Sequence, residues 1–164
     1  LAAVEAFGEA STRDFEVIHI TGRRDHDRIL TLLEGLGSSD GYHLLAYEPD
    51  LGDCLAACDL ALSRSGGSVF ELAATRTPAI LVPYPRAAAD HQTANARWME
   101  QAGAAVVLSD GDLDPARLAE LVGEMFGDRE RLGAMAAAAA SLARPDAAER
   151  VARIVERVAA GGAR

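Results

Sequence analysis

Residues 63–95 read SRSGGSVFELAATRTPAILVPYPRAAADHQTAN, and the order within them is strand, glycine-containing turn, helix, strand, loop and helix. That order is one unit of a parallel sheet whose connections are helical. In such a sheet ligands bind beyond the carboxyl ends of the strands. Arg64-Ser65-Gly66-Gly67 follows one strand directly, and Asp90-His91-Gln92-Thr93-Ala94-Asn95 opens a helix at the same edge, so two polar clusters converge on one cleft. Glycines let backbone N–H groups approach a diphosphate, a helix start adds positive dipole, and Glu71 is placed to accept hydrogen bonds from ribose hydroxyls. The combination suggests a nucleotide-sugar site.

Working outward, short apolar runs at 15–20, 42–47, 60–63, 79–82 and 104–108 read as buried strands. Residues 25–36 read as a helix carrying Ile29, Leu30, Leu32 and Leu33 and stopped by Gly35 and Gly37, and 90–101 as a helix stopped by Gly103. The first ten residues read as the tail of a helix. The alternation predicts an α/β fold, a Rossmann-like parallel sheet flanked by helices on both faces. After Leu108 the pattern turns helical throughout. Asp114-Pro115 supplies an N-cap and a first-turn proline, and Leu118, Leu121, Val122 and Met125 form one stripe. An alanine-rich helix follows at 129–143, its period kept by Leu132, Met135 and Leu142. A last helix sets Val151, Ile154, Val155 and Val158 on one face behind a reciprocal Asp146/Glu149 cap. All three are expected to pack on the sheet, and 161–164 to fray.

The chain has 164 residues, 49% hydrophobic and 25% charged, which suits one domain with a real core. Its net charge of −9 argues against a general nucleic-acid or anionic-membrane binder. Cys54 and Cys58 complete no zinc spacing with other Cys or His residues and read as buried thiols; no metal or cofactor is expected. There is no signal-peptide pattern and no apolar run of about 18 residues. With Leu1 at the start, a cytoplasmic piece of something longer fits best.

Several candidates carry a bland reading beside the chemical one. Ser68-Val69-Phe70-Glu71 has the S-x-x-E spacing of a capping box, in which the glutamate only satisfies the serine N–H. Paired glycines are common in ordinary turns. Gln92 and Asn95 are three apart and share a helix face, offering donors and acceptors to sugar hydroxyls. Asp90 reads as an N-cap, and His91 as a ligand contact or a domain-interface residue. Tyr47 and Glu48 end a strand at the cleft edge, where a flat base could be received. Arg23 and Arg24 are weaker phosphate candidates, and Trp98 and Met99 read as packing. No Ser-His-Asp set, G-x-x-x-x-G-K-[ST] loop or G-x-G-x-x-G fingerprint is present.

Asp59 to Arg64-Ser65-Gly66, Glu71-Leu72-Ala73-Ala74, Pro78 to Pro83, Asp90-His91-Gln92 with Asn95-Ala96, and Ala102-Gly103-Ala104-Ala105 together resemble the carboxy-terminal half of the MurG family, glycosyltransferase family 28. The resemblance spans almost the whole chain. It implies the GT-B architecture, with this chain the donor-binding half of an enzyme that moves N-acetylglucosamine from UDP-N-acetylglucosamine onto lipid I in peptidoglycan synthesis. By motif position Glu71 holds the ribose, Ser65, Gly66, Gly67 and Ser68 meet the diphosphate with Arg64 beside them, and Gln92 and Asn95 meet the sugar. Glu48 meets uracil through its backbone, with Tyr47 beside the base and Leu51 near it. Transfer is implied to be inverting, without a metal at the diphosphate. Arg76-Thr77 stands where relatives have a glycine-containing turn. The resemblance places the opening strand, its glycine-rich loop, the acceptor domain and the catalytic base outside these residues, so this fragment alone is expected to be inactive and membrane contact is expected only through the missing domain. The parent is expected on the cytoplasmic face of the inner membrane. Two alternatives stay open: a UDP-N-acetylglucosamine 2-epimerase, and a glycolipid transferase with another acceptor.

Overall fold

The computed structural model describes residues 1–161. Five strands, β1 (Val17–Ile20), β2 (Tyr42–Leu45), β3 (Ala61–Ser63), β4 (Ala79–Leu81) and β5 (Ala105–Val107), alternate with helices α1 (Ala2–Phe7), α2 (His26–Glu34), α3 (Leu51–Ala57), α4 (Ser68–Thr75) and α5 (His91–Gln101). Helices α6 (Pro115–Gly127), α7 (Arg129–Leu142) and α8 (Ala147–Gly161) follow. All pairing is parallel, as the helical connections demand. The expected single sheet is divided, however: β1 pairs only with β2, while β3, β4 and β5 form a second sheet in that order.

Strand β4 explains the two-faced packing. Side chains alternate along a strand, so Ala79 and Leu81 enter one core with Val69, Leu72, Met99 and Ala139, while Ile80 and Val82 enter the other with Val4, Leu118, Val122 and Met125. One core is thus completed by α4, α5 and the later part of α7, the other by α1, α2, α6 and the earlier part of α7. Ile80 and Leu81 are completely buried, and burial of such a side chain contributes roughly 1.5–3 kcal/mol. Both cores hold the strand ends rigidly beneath the cleft.

Local chemistry sets most helix ends. Asp114 accepts from the Arg117 N–H as N-cap of α6, with Pro115 at the first helical position, and Asp128 accepts from the Arg131 N–H at the start of α7. Helix α3 is an element that the sequence reading left out: seven residues, none of them buried. Cys54 within it and Cys58 at its end are free and only half-buried, which corrects their reading as buried thiols. Desolvation still raises both thiol pKa values, which works against reactive thiolates.

Helix α8 departs further from expectation. Val151, Ile154, Val155 and Val158 do form a stripe, but all four are exposed and α8 has no buried residue, so it does not pack on the sheet. Glu149 pairs with Arg153 one turn on, not back towards Asp146. The fraying expected at 161–164 falls, beyond Gly161, outside the described residues. Among the described residues no helix is long and apolar enough to cross a membrane.

Candidate functional site

Three strand exits, after β3, β4 and β5, lie side by side at one edge of the sheet, and the polar residues singled out in the sequence gather there. The turn after β3 is tied down by the start of α5. Ser65, fully buried, donates through its hydroxyl to the Gln92 carbonyl at 2.8 Å. Asn95 Nδ2 donates to the Ser65 carbonyl at 3.0 Å and reaches the Gly66 carbonyl at 3.4 Å. Buried polar groups must be paired, and these bonds pair them while fixing the turn against α5. The predicted meeting of Ser65 and Gly66 with Gln92 and Asn95 is therefore present.

The capping box is not. Helix α4 starts with Ser68, and Gly67 stands at the N-cap with no side-chain cap. A capping box needs the acid three residues after the cap, whereas Glu71 lies four after Gly67. Ser68 Oγ instead donates to the Arg64 carbonyl at 3.3 Å and lies 3.3 Å from Ser63 Oγ. Glu71 is exposed in the first turn of α4, and among the described residues its carboxylate has no protein partner. The Val69 and Phe70 amides donate to the Gly66 and Gly67 carbonyls at 3.4 and 3.1 Å, while the Gly66, Gly67 and Ser68 amides have no acceptor among the described residues.

Neither Gly66 nor Gly67 is required by backbone conformation, since neither has a positive φ; Gly67 lies at φ −61°. Nor does close protein packing require them. A Cβ on Gly67 would meet nothing within 4 Å, and one on Gly66 would meet only Gln92 Nε2 at 4.0 Å. The turn thus leaves open space directly over donor N–H groups. Such an arrangement has the chemistry to accommodate an anion at close range.

Arg64 points along the strand exits. Its Nη1 lies 3.2 Å from the Val82 carbonyl, 3.4 Å from the Pro83 carbonyl and 2.5 Å from Asp110 Oδ1, and its guanidinium carbon sits 5.7 Å from the Tyr84 ring centre. Tyr84 N–H in turn donates to Gln92 Oε1 at 2.9 Å. Asp90 occupies the N-cap position of α5 but makes no backbone cap; it accepts from Thr93 Oγ1 at 2.6 Å. Ala89 and Asp90 both take left-handed backbone, at φ 49° and 52°. Two successive non-glycine residues there store strain in the loop entering α5. His91 Nδ1 lies 2.8 Å from the Ala88 carbonyl within the same turn.

The base-side candidates lie at the β2 exit. Tyr47 is 61% exposed, and the Arg23 guanidinium covers its ring at 5.2 Å. Glu48 Oε1 accepts from the Asp50 N–H at 2.8 Å, so its carboxylate is committed to the start of α3, and Leu51, half-buried, is the first residue of that helix. Arg24 pairs with Asp25 instead. Met99 is fully buried and the Trp98 ring lies tilted against Phe70 with centres 5.5 Å apart, in keeping with their reading as packing residues. Sequence reasoning passed over Tyr84 as a contact and missed Asp110. Tyr84 was signalled by its flanking prolines; a single aspartate in an exposed turn gives no signal. No group of three or more His, Cys, Asp or Glu side chains among the described residues could hold a metal ion.

The model of the glycosyltransferase family 28 C-terminal domain matches residues 2–151. The chain is 41% identical over 158 residues to the UDP-N-acetylglucosamine--N-acetylmuramyl-(pentapeptide) pyrophosphoryl-undecaprenol N-acetylglucosamine transferase of Moorella thermoacetica, covering 93% of this chain and 43% of that protein. It is 44% identical over 147 residues to the protein of the same name from Halorhodospira halophila, covering 89% of this chain and 41% of the relative. In three dimensions it superposes on MurG of Acinetobacter baumannii with a TM-score of 0.78 at 26% identity, covering 96% of this chain and 49% of that one. The chain therefore spans less than half the length of each of these relatives. With the family model covering nearly all of the sequence and the fold shared with a GT-B enzyme, the chain belongs to glycosyltransferase family 28, as its C-terminal domain.

Proposed function

We propose that this chain binds UDP-N-acetylglucosamine, as the donor domain of an inverting transferase that moves N-acetylglucosamine to lipid I to give lipid II. The observation that carries the reading is the juxtaposition of an uncrowded Gly66-Gly67 turn, the unpartnered Glu71 carboxylate one helical turn on, and Gln92 and Asn95 fixed against that turn. In this reading the Gly66, Gly67 and Ser68 amides meet the diphosphate with Ser65 holding the turn, and Glu71 accepts from the ribose hydroxyls. Gln92 and Asn95 face the sugar, Arg64 stands at the rim, and Tyr47, Glu48 and Leu51 border the base. As the glycosidic bond breaks, the negative charge growing on the departing UDP is met by amides already oriented and by the positive end of α4. Hydrogen bonds of this kind need no reorganisation at the moment of reaction.

The domain reading belongs to the same proposal. The strand orders β2-β1 and β3-β4-β5 correspond to a doubly wound sheet, 3-2-1-4-5-6, with the central position vacant. Ile18 in β1 and Leu62 in β3 are 41% and 39% exposed, unusual for mid-strand apolar side chains. A further parallel strand between β1 and β3, supplied by a longer protein, would cover both and join the sheets. The acceptor domain and catalytic base would belong to that longer protein, and a lipid-linked acceptor would hold it at the cytoplasmic membrane face. The net charge of −9 fits no nucleic-acid partner.

The test is transfer by the whole protein from labelled UDP-N-acetylglucosamine, with and without lipid I. Label in lipid II only when lipid I is present supports the proposal. Conversion of the sugar nucleotide to its 2-epimer without acceptor supports the isomerase alternative and overturns it.

A further inference from the structure

Asp110 has no part in the donor site described above, yet it is joined to that site through one guanidinium. It follows β5 at the opening of a short turn whose own cap is Ser109, which accepts from the Asp112 N–H at 3.2 Å. From there Asp110 pairs with Arg64 after β3, and Arg64 also takes the Val82 and Pro83 carbonyls after β4 and lies over the Tyr84 ring. One side chain thus ties three neighbouring strand exits together. All three polar contacts are made by the one Nη1 nitrogen, while the guanidinium lies over the Tyr84 ring.

The loop so held decides which way the Gln92 amide faces. Tyr84 N–H can only donate, so the atom 2.9 Å from it must be the amide oxygen, Oε1. Nε2 is then turned the other way, towards the Gly66 turn, where a Cβ on Gly66 would lie 4.0 Å from it. Gln92 therefore offers a donor to the cleft and demands an acceptor oxygen from whatever binds there. We infer that Asp110 is a positioning residue for donor-sugar recognition: through Arg64 and Tyr84 it holds Gln92 with its NH2 group facing the sugar. The inference rests on the donor-site reading. The pair's value lies in geometry, because both side chains are well exposed, 47% and 38%, and such a pair adds little to stability.

The experiment uses this chain, with calorimetric titration of UDP-N-acetylglucosamine and of UDP, and amide hydrogen exchange on the ligand-free protein. Asp110→Ala is expected to weaken UDP-N-acetylglucosamine about fivefold, the scale of one partly exposed ion pair, and to leave UDP binding unchanged. Asp110→Ala should add nothing in a Gln92→Ala background, and the Tyr84 amide should exchange faster in Asp110→Ala while the Leu118 amide in α6 does not. Equal loss of UDP and UDP-N-acetylglucosamine binding in Asp110→Ala, or an unchanged Tyr84 amide, overturns the inference. If the wild-type chain binds no UDP-N-acetylglucosamine, the donor-site reading falls and the sugar-positioning role with it; exchange at Tyr84 then shows separately whether the strut itself exists.

Discussion

Gly67 and Arg76 sit at opposite ends of the same helix and show how differently a single residue can be constrained. Gly67 has ordinary helical backbone and open space around it, so nothing in the fold requires glycine there. Gly67→Ala should change stability by less than about 1 kcal/mol, as exchanges at helix caps do. It should weaken UDP-N-acetylglucosamine about tenfold or more, because a methyl group pushes the diphosphate off charge-assisted N–H bonds. Thermal melting and calorimetry on the same sample check both halves. Arg76 is the converse, at φ 62° just past the end of α4, where a left-handed residue closes the helix and glycine is usual. Arg76→Gly should stabilise the chain by roughly 0.5–1 kcal/mol, read as a higher urea midpoint at constant slope. The sequence already marks this position, since Arg76-Thr77 stands where relatives place glycine, and the structure supplies the reason. It could not mark Asp110, whose significance comes only from lying beside Arg64 across two strand exits.

At the scale of elements, apolar runs located all five strands, although only β4 is buried along its whole length and β1, β2, β3 and β5 carry their apolar side chains at partly exposed positions too. Their ends are shorter than the runs, since apolar residues continue past the last ladder bond. Helix α3 escaped notice because its stripe, Leu51, Cys54, Leu55 and Cys58, is short and only half-buried. Helix α8 shows the limit of such stripes: periodicity reveals an amphipathic helix, not what covers it. The pairing of β1 with β2 brings its own pH dependence. Tyr42 is buried and its hydroxyl lies 2.7 Å from His19 Nδ1. Burial lowers the His19 pKa below 6.5 and raises that of Tyr42 from 10.0 to about 12. Below pH 6.5 the unfolded chain takes up a proton that folded His19 resists, so stability falls with falling pH. Between pH 10.0 and about 12 the unfolded chain loses a proton that folded Tyr42 keeps, so stability falls with rising pH. Urea unfolding across pH should show both limbs, and Tyr42→Phe should flatten the alkaline one; an alkaline limb that persists in Tyr42→Phe would assign it to other groups.

For the whole molecule, the alternation of strands and helices made the α/β class legible, while the division into two sheets was not, because no side-chain pattern records which strand lies beside which. The division leaves edges of β1 and β3 open beneath the cleft, and the exits of β3, β4 and β5 carry the polar residues that define it. The central claim is that this edge receives the diphosphate of a sugar nucleotide. Amide resonances of the isotope-labelled chain, followed during titration with UDP-N-acetylglucosamine, test it most directly. The account predicts that the largest shifts fall on Gly66, Gly67 and Ser68, with Gln92 and Asn95 side-chain amides moving at the same ligand concentrations and all of these responses weakened in Glu71→Ala. Shifts concentrated on α8 or on the far ends of the strands, with the Gly66-Gly67 turn unmoved, would contradict it.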